Sequence, residues 1–330
     1  MEDGTVCRGG FEAASNAYMP YTNYSQYFRQ LFGCRVQKLS INAGFNCPNR
    51  DGVLGYDGCT FCNNEAFCPS YCQPRKSITQ QIDEGIEFHR WRYKKATLYL
   101  AYFQSYSNTY ASLDTLRQRY EEALEHEGVV GLVIGTRPDC VDDEKLDYIA
   151  TLAKDHYIAV EYGIESCYDR TLELIHRHHT FAVTRQAIES TARRGIHCGG
   201  HLILGLPGES REEMVAEADI LNRLPIETLK LHQLQILKGS VLESQVRSGE
   251  VAFSPFALDD YIALVCDFRR RLDERITIER YAGEVPPRYQ AYPEYSWRRA
   301  DGSLLRNEDI PRLVDEALGR TSEQMPAGGL

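Results

Sequence analysis

Five of the eleven cysteines fall between Cys47 and Cys72. Thiolates are soft metal ligands, and such clustering in a chain read as belonging to a reducing compartment points to a metal centre rather than to disulfides. Cys47, Cys59 and Cys62 are spaced C-x11-C-x2-C, and two intervening residues let one turn bring the Cys59 and Cys62 sulfurs together. Four glycines between Gly44 and Gly58 give the loop the backbone freedom that wrapping a cluster needs. A four-iron cluster held by only three thiolates leaves one iron without a protein ligand, open to a substrate or cofactor. Two other readings stand beside this one. Cys59, Cys62, Cys68 and Cys72, spaced C-x2-C-x5-C-x3-C, could hold a structural zinc. Some of them could instead be small core residues.

The loop that carries these cysteines follows directly on an apolar, β-rich string at Val36–Ile41, the first of six. The others are Ala96–Tyr102, Val129–Ile134, Tyr157–Tyr162, Cys198–Leu204 and Thr228–Ile236. Between them lie stretches with helical spacing: Ile78–Tyr93, Leu113–Glu125, Asp143–Ala153, Asp169–Ile175 with Ala182–Arg194, and Arg211–Leu221. Alternation of this kind means a parallel sheet with right-handed crossovers. No GxGxxG follows the first strand, which speaks against a dinucleotide fold. The expected fold class is α/β, a partial (β/α)6 TIM-like barrel with a small C-terminal extension. The expected division is 1–33 (N-terminal tail and Tyr-rich segment), 34–240 (barrel) and 241–330 (extension, with an extra strand at Ile276–Tyr281). Ligands on such a fold sit at the C-terminal ends of the strands.

Composition narrows the partners. The chain has 330 residues, a formal charge of −10 and 43% apolar residues, as ordinary globular proteins do. No apolar run approaches the 18 residues of a membrane span, so no membrane partner is expected. The first residues show no signal pattern, and the expected location is cytoplasmic. The acidic total gives no general pull toward nucleic acid. Local basic groups at Arg90, Arg92, Lys94 and Lys95 and at Arg269–Arg271 read first as solvated helix faces.

A loop after the first barrel strand ending in Cys59-Thr60-Phe61-Cys62 resembles the radical S-adenosylmethionine (SAM) superfamily. The long first gap resembles the branch holding the catalytic subunit of Elongator and the bacterial YhcC-type proteins. The resemblance runs from Tyr24 to about Tyr281. It includes GFNCPNRDG (44–52), GCTFCN (58–63), YFQSYSNTY (102–110), GTRPDC (135–140), EYGIES (161–166), HRHHT (176–180), HLILGLPGE (201–209) and LKLHQLQILKGS (229–240). It implies a barrel of the radical SAM type, a 4Fe-4S cluster on Cys47, Cys59 and Cys62, and SAM bound at the open iron. It also implies reductive cleavage of SAM to a 5′-deoxyadenosyl radical that abstracts hydrogen from a substrate. An electron donor such as flavodoxin or ferredoxin is the implied partner.

By the same resemblance Phe61 covers the cluster or the adenine. Gln104 and Ser105 stand where many relatives carry Gly-Gly-Glu for the SAM amino group, and this chain lacks that acid. Glu161, Glu165 and Ser166 are implied cofactor contacts, with Glu165 in place of a usual Gln and able to accept from ribose hydroxyls. Glu161 and Glu165, four apart in a period-two strand, point to one side. Arg177 meets the SAM carboxylate, with His178 where relatives have Gly, which puts the local backbone in question. Gly205 and Pro207 bring backbone near the adenine. Cys140, His201 and His232 are candidates for catalytic or substrate contact, and Cys68 and Cys72 for extra ligands. Two substrates compete, a tRNA nucleoside, as the Elongator-like branch implies, and a small molecule or peptide in the barrel mouth. A non-catalytic zinc-stabilised binding module is the alternative to both.

Overall fold

The computed structural model describes residues 24–91 and 96–319. Seven strands form one sheet in the order β1 to β7, every neighbouring pair parallel. They are β1 (Val36–Ile41), β2 (Leu98–Phe103), β3 (Val129–Thr136), β4 (Tyr157–Glu165), β5 (His197–Leu204), β6 (Thr228–Gln233) and β7 (Thr277–Arg280). The sheet curls into a half-barrel. Lys38 of β1 reaches Glu279 of β7 at 2.8 Å, so the two edge strands face one another across the interior. The strand read as part of the extension is the seventh member of this sheet, one more than the six-strand count. The expected tail before residue 24 and the basic residues Arg92, Lys94 and Lys95 lie outside the described residues.

Period-two alternation divides the strand residues between two layers. Leu39, Ile41, Ala101, Phe103, Leu132, Ile134, Val160, Tyr162, Leu202, Leu204, Leu229 and Leu231 are buried in the main core with residues of the surrounding helices. Those helices include α2 (Ile78–His89), α3 (Leu113–Leu124), α4 (Asp143–Leu152), α6 (Phe181–Arg193), α7 (Arg211–Leu221) and α9 (Leu258–Arg271). Their starts are set locally. Ser77, Ser112, Asp142 and Ser210 each accept a first-turn N–H, and Ser210 with Glu213 completes a capping box. On the other face, Leu100, Tyr102, Val133, Tyr157 and Ala159 pack on Phe28 of α1 (Tyr24–Phe32). This aromatic helix closes one part of the interior and leaves the rest to polar side chains.

Where β3 meets β4 the fit is closest. A Cβ added to Gly131 would overlap the carbonyl of Tyr157 on the neighbouring strand, a backbone atom that cannot step aside. Gly131→Ala should therefore cost about 3 kcal/mol, at the upper end of overpacking, and lower the melting temperature by roughly 5–10 °C. A thermal melt with less than about 2 °C of change would show that the strands part easily here.

Candidate active site at the strand ends

The segment after β1 is folded by its own turns. Arg50 N–H bonds the Cys47 carbonyl at 2.8 Å, Gly58 N–H the Asn49 carbonyl at 2.8 Å, and Cys62 N–H the Cys59 carbonyl at 2.9 Å. Thr60 ties it outward, donating to Ile175 after α5 (Asp169–Leu174) and accepting from Leu242 in α8 (Val241–Ser248). Cys47, Cys59 and Cys62 are thereby brought to one wall of a cleft of about 1320 Å³, counted out to its mouth.

The sulfurs are met by donors. Cys59 Sγ accepts from Asn49 Nδ2 at 3.4 Å, Arg177 Nη1 at 3.5 Å and Arg137 Nη1 at 3.8 Å, and Cys62 Sγ from Asn64 Nδ2 at 3.5 Å. Donors arranged this way suit sulfur that carries negative charge, as a metal-bound thiolate does. Burial pushes the Cys62 thiol up to about 11, and the neighbouring Cys59 adds to the shift. The three thiols thus fit a cationic cluster, in which each would ligate a different iron.

The compact zinc arrangement fails on direct contacts. Cys68 Sγ is engaged with Ser105 Oγ at 3.0 Å and Cys72 Sγ donates to the Ser40 carbonyl at 2.8 Å. Burial pushes the Cys72 thiol up to about 12. Among the described residues, no three His, Cys, Asp or Glu side chains gather as a lone metal ion would need.

Arg177 is buried. Besides Cys59 it donates to the Gly163 carbonyl at 2.5 Å and lies 3.5 Å from Glu165. Burial opposes its charge, but Cys59 and Glu165 hold its proton more firmly than usual. Glycine at 163 leaves the space: a Cβ there would stand 2.6 Å from Arg177 Nη2. Arg137, which the sequence reading passed over, forks onto Asp139 at 2.8 and 2.7 Å and donates to the Arg177 carbonyl at 2.7 Å. Four non-glycine residues among those described have positive φ: Tyr106 (64°), Glu165 (64°), His176 (54°) and His178 (58°). Two of them, Tyr106 and Glu165, line the cleft, and the His176 carbonyl holds Asn49. His178 adopts the left-handed geometry that a glycine would take, so the substitution keeps the backbone path at some strain.

Phe61, Gln104, Ser105, Glu161, Glu165, Arg177, His201 and His232 all line the cleft. Four expected residues stand outside its walls. Ser166 is fully buried and donates to Glu209 at 2.5 Å. Gly205 packs on Phe256, 2.6 Å from where its Cβ would be. Pro207 lies in the turn beyond it, between β5 and α7. Cys140 is buried beside Asp139, and burial pushes its thiol up to about 12. Gln104 accepts a hydrogen bond from Ser40 Oγ at 3.3 Å.

Deeper in, Glu161 is buried against three partners: Lys38 at 2.9 Å, Lys230 at 2.5 Å and His201 at 3.0 Å. Burial resists its ionisation, yet Lys230 and Lys38 outweigh that and hold it well below the usual carboxylate range. Glu279 answers the same two lysines at 2.8 and 3.3 Å, and Lys230 lies over the Tyr102 ring. His232 bonds Arg280 at 2.7 Å. Burial and Lys230 lower the pKa of His201. Burial and Arg280 lower that of His232 further.

A family model described as the Radical SAM superfamily matches residues 41–221, and one described as the Radical_SAM C-terminal domain matches residues 226–306. Protein YtqA of Bacillus subtilis is 35% identical over 86% of this chain and 87% of its own length. Protein YhcC of Escherichia coli is 35% identical over 77% and 80%. Among solved structures, the archaeal Methanocaldococcus infernus Elp3 superposes with a TM-score of 0.63 at 16% identity. It matches 86% of this chain, which spans 63% of that one.

Proposed function

Because the chain belongs to the radical SAM superfamily, whose members use a 4Fe-4S cluster and SAM, we propose that it is a radical SAM enzyme acting on a small molecule or peptide held in the strand-end cleft. The observation that carries this reading is the convergence of Cys47, Cys59 and Cys62 on that cleft, with Asn49, Asn64, Arg137 and Arg177 donating to two of their sulfurs. The cofactors would supply an electron and a 5′-deoxyadenosyl radical that takes hydrogen from the substrate.

The chain's own residues do the rest. Cys47, Cys59 and Cys62 hold the cluster, and Arg137 and Arg177 stabilise the charge on Cys59. Arg177, fixed by Glu165 and Gly163, and the Gln104 and Ser105 wall offer the donors and acceptors that orient SAM. Phe61 packs beside the small apolar cluster around Leu172, Ile175 and Leu206 and lines the cleft. Glu161 acts instead as the counter-ion of the lysines beneath the cleft. His201 and His232, facing the cleft, serve the substrate end.

The pairing of the α9 arginines favours a small substrate over tRNA. Arg270 is paired with Asp267 at 2.8 Å, Arg271 with Asp219 at 3.3 Å, and Arg269 donates to the Leu272 carbonyl at 3.2 Å. The sequence motifs of the Elongator-like branch support tRNA, and a binding titration with transfer RNA at rising salt separates the two. Binding that weakens linearly in log salt would restore the nucleoside substrate.

The reaction itself is tested by anaerobic reconstitution with iron and sulfide, followed by SAM and dithionite. Expected are about four irons per chain and formation of 5′-deoxyadenosine. Stoichiometric zinc with no nucleoside would overturn the reading.

A further inference from the structure

We propose that the β6–β7 side of the cleft is an anion subsite centred on Arg280, and that the substrate presents a carboxylate or a phosphate monoester to it. The proposal rests on the radical SAM reading only in calling the occupant the substrate. The subsite itself follows from a count of charges.

The half-barrel interior brings together three cations, Lys38 from β1, Lys230 from β6 and Arg280 from β7, and two carboxylates, Glu161 from β4 and Glu279 from β7. The lysines and carboxylates close a ring: Lys38 touches Glu161 and Glu279, and so does Lys230. Arg280 is left over. Among the described residues no carboxylate lies within ion-pair distance of it. Its Nη2 donates to His232 Nε2 at 2.7 Å, and its Nε is buried with no hydrogen-bond partner. His232 satisfies one N–H and supplies no negative charge.

The other arginines of the cleft are accounted for. Arg177 has Glu165, Arg137 has Asp139, and Arg50 lies beside Cys62 and donates to its carbonyl. Among the described residues, only Arg280 of the cleft's arginines has neither a counter-ion nor the cysteines beside it. An unpaired charge in a low-dielectric wall is costly, and a bound anion removes that cost.

The subsite is also fixed in place. Gln233 and Gln235 both donate to the Gly283 carbonyl at 3.0 Å, and Gly283 N–H bonds Gln233 Oε1 at 2.7 Å. Gly283 lies so close to His232 that a Cβ would stand 2.9 Å from Nδ1. The ring packs against that backbone, and its bond to Nη2 orients the guanidinium. A guanidinium carries five N–H donors and His232 takes one, so the Arg280 head lining the cleft keeps donors for the oxygens of a carboxylate or phosphate.

The test uses reconstituted protein loaded with SAM and three probes at constant ionic strength: propionate, methyl phosphate and the neutral propionamide. Melting temperature is followed against probe concentration. Wild type should be stabilised by one or both anions and not by propionamide, and which anion binds names the substrate class. Arg280→Gln should weaken the anion's apparent affinity at least about tenfold. Arg280→Lys, which keeps the charge without the fork, should weaken it about threefold or more. Propionamide acting as well as the anions, no anion response in wild type, or unchanged affinity in Arg280→Gln would overturn the subsite. If Arg280→Gln does not fold, unchanged affinity in Arg280→Lys overturns it instead. Failure of wild type to form 5′-deoxyadenosine sinks the radical SAM reading and leaves the anion result to stand or fall separately.

Discussion

Alanine at Cys47, Cys59 or Cys62 should abolish 5′-deoxyadenosine formation, a loss of at least about a thousandfold, or roughly 4 kcal/mol of barrier. Alanine at Cys68 or Cys72 should leave the rate within a few-fold of wild type. The contrast follows from what each sulfur touches. Cys59 receives N–H donors from Asn49, Arg137 and Arg177, none of which could bond an alanine. Cys68 and Cys72 spend their thiols on Ser105 and the Ser40 carbonyl. Cys59→Ala has a second consequence. Arg177 is buried, so losing its sulfur partner leaves Nη1 unsatisfied and the loop after β1 less firmly tied to the end of α5. Iron per chain, measured alongside the nucleoside, decides the cause. A variant that keeps its iron and loses only turnover would place Cys59 outside the ligand set. Equal losses in all five variants would revive a compact metal site that includes Cys68 and Cys72.

The fold was legible because parallel strands covered by helices read as apolar runs broken by amphipathic ones. The misplaced ends have local causes. The run through Ile236 reads as strand, but β6 stops at Gln233, and Leu234 and Gln235 turn off to wall the cleft. The run at Tyr157–Tyr162 continues to Glu165 through a register shift at Gly163, and no residue type announces that bulge. β7 is only four residues long, Thr277–Arg280, and half of it is charged, so it read as an appendage rather than as a sheet member.

Side chains were legible where chemistry left a local pattern. Three cysteines and an arginine just after α5 carry such a pattern. Lys38 and Lys230 do not, because a lysine inside VQKLSI or TLKLHQ reads as a solvent-facing residue of a strand. What makes them interior is Glu161, more than sixty positions from either in sequence. Arg137 sits inside the GTRPDC string that drew notice to Cys140, yet the arginine is the residue that reaches Cys59. Arg280 has no motif at all. Its significance is an imbalance of charge, which only the closed interior reveals. Ser166 fell within a motif and yet turned away from the cleft, because Glu209 supplies the acceptor its hydroxyl needs.

Glu161 should prove the least replaceable residue for stability. It is 2% exposed and is the acid shared by Lys38, Lys230 and His201. Glu161→Ala would leave two lysines answered by Glu279 alone, and breaking a buried pair in this way costs about 3–5 kcal/mol. A melting temperature lower by roughly 6–20 °C is expected. Glu161→Gln keeps the volume and should still cost most of this, because the loss is of charge. Combining Glu161→Gln with Lys230→Met should recover part of it, since the second change removes a cation that the first left uncompensated. The pH dependence has a defined sign. The folded-state pKa of Glu161 lies well below the usual carboxylate range, whereas in the unfolded chain it is ordinary, about 4.3. Its contribution is therefore complete above the ordinary value and is lost as pH falls through the folded one. The gap in stability between wild type and Glu161→Gln should be constant from pH 8 to about 6 and should narrow below about pH 4.3. A gap that widened on acidification would mean that the lysines, not the carboxylate, set the charge of the interior. The leftover positive charge at Arg280 would then have to be counted again.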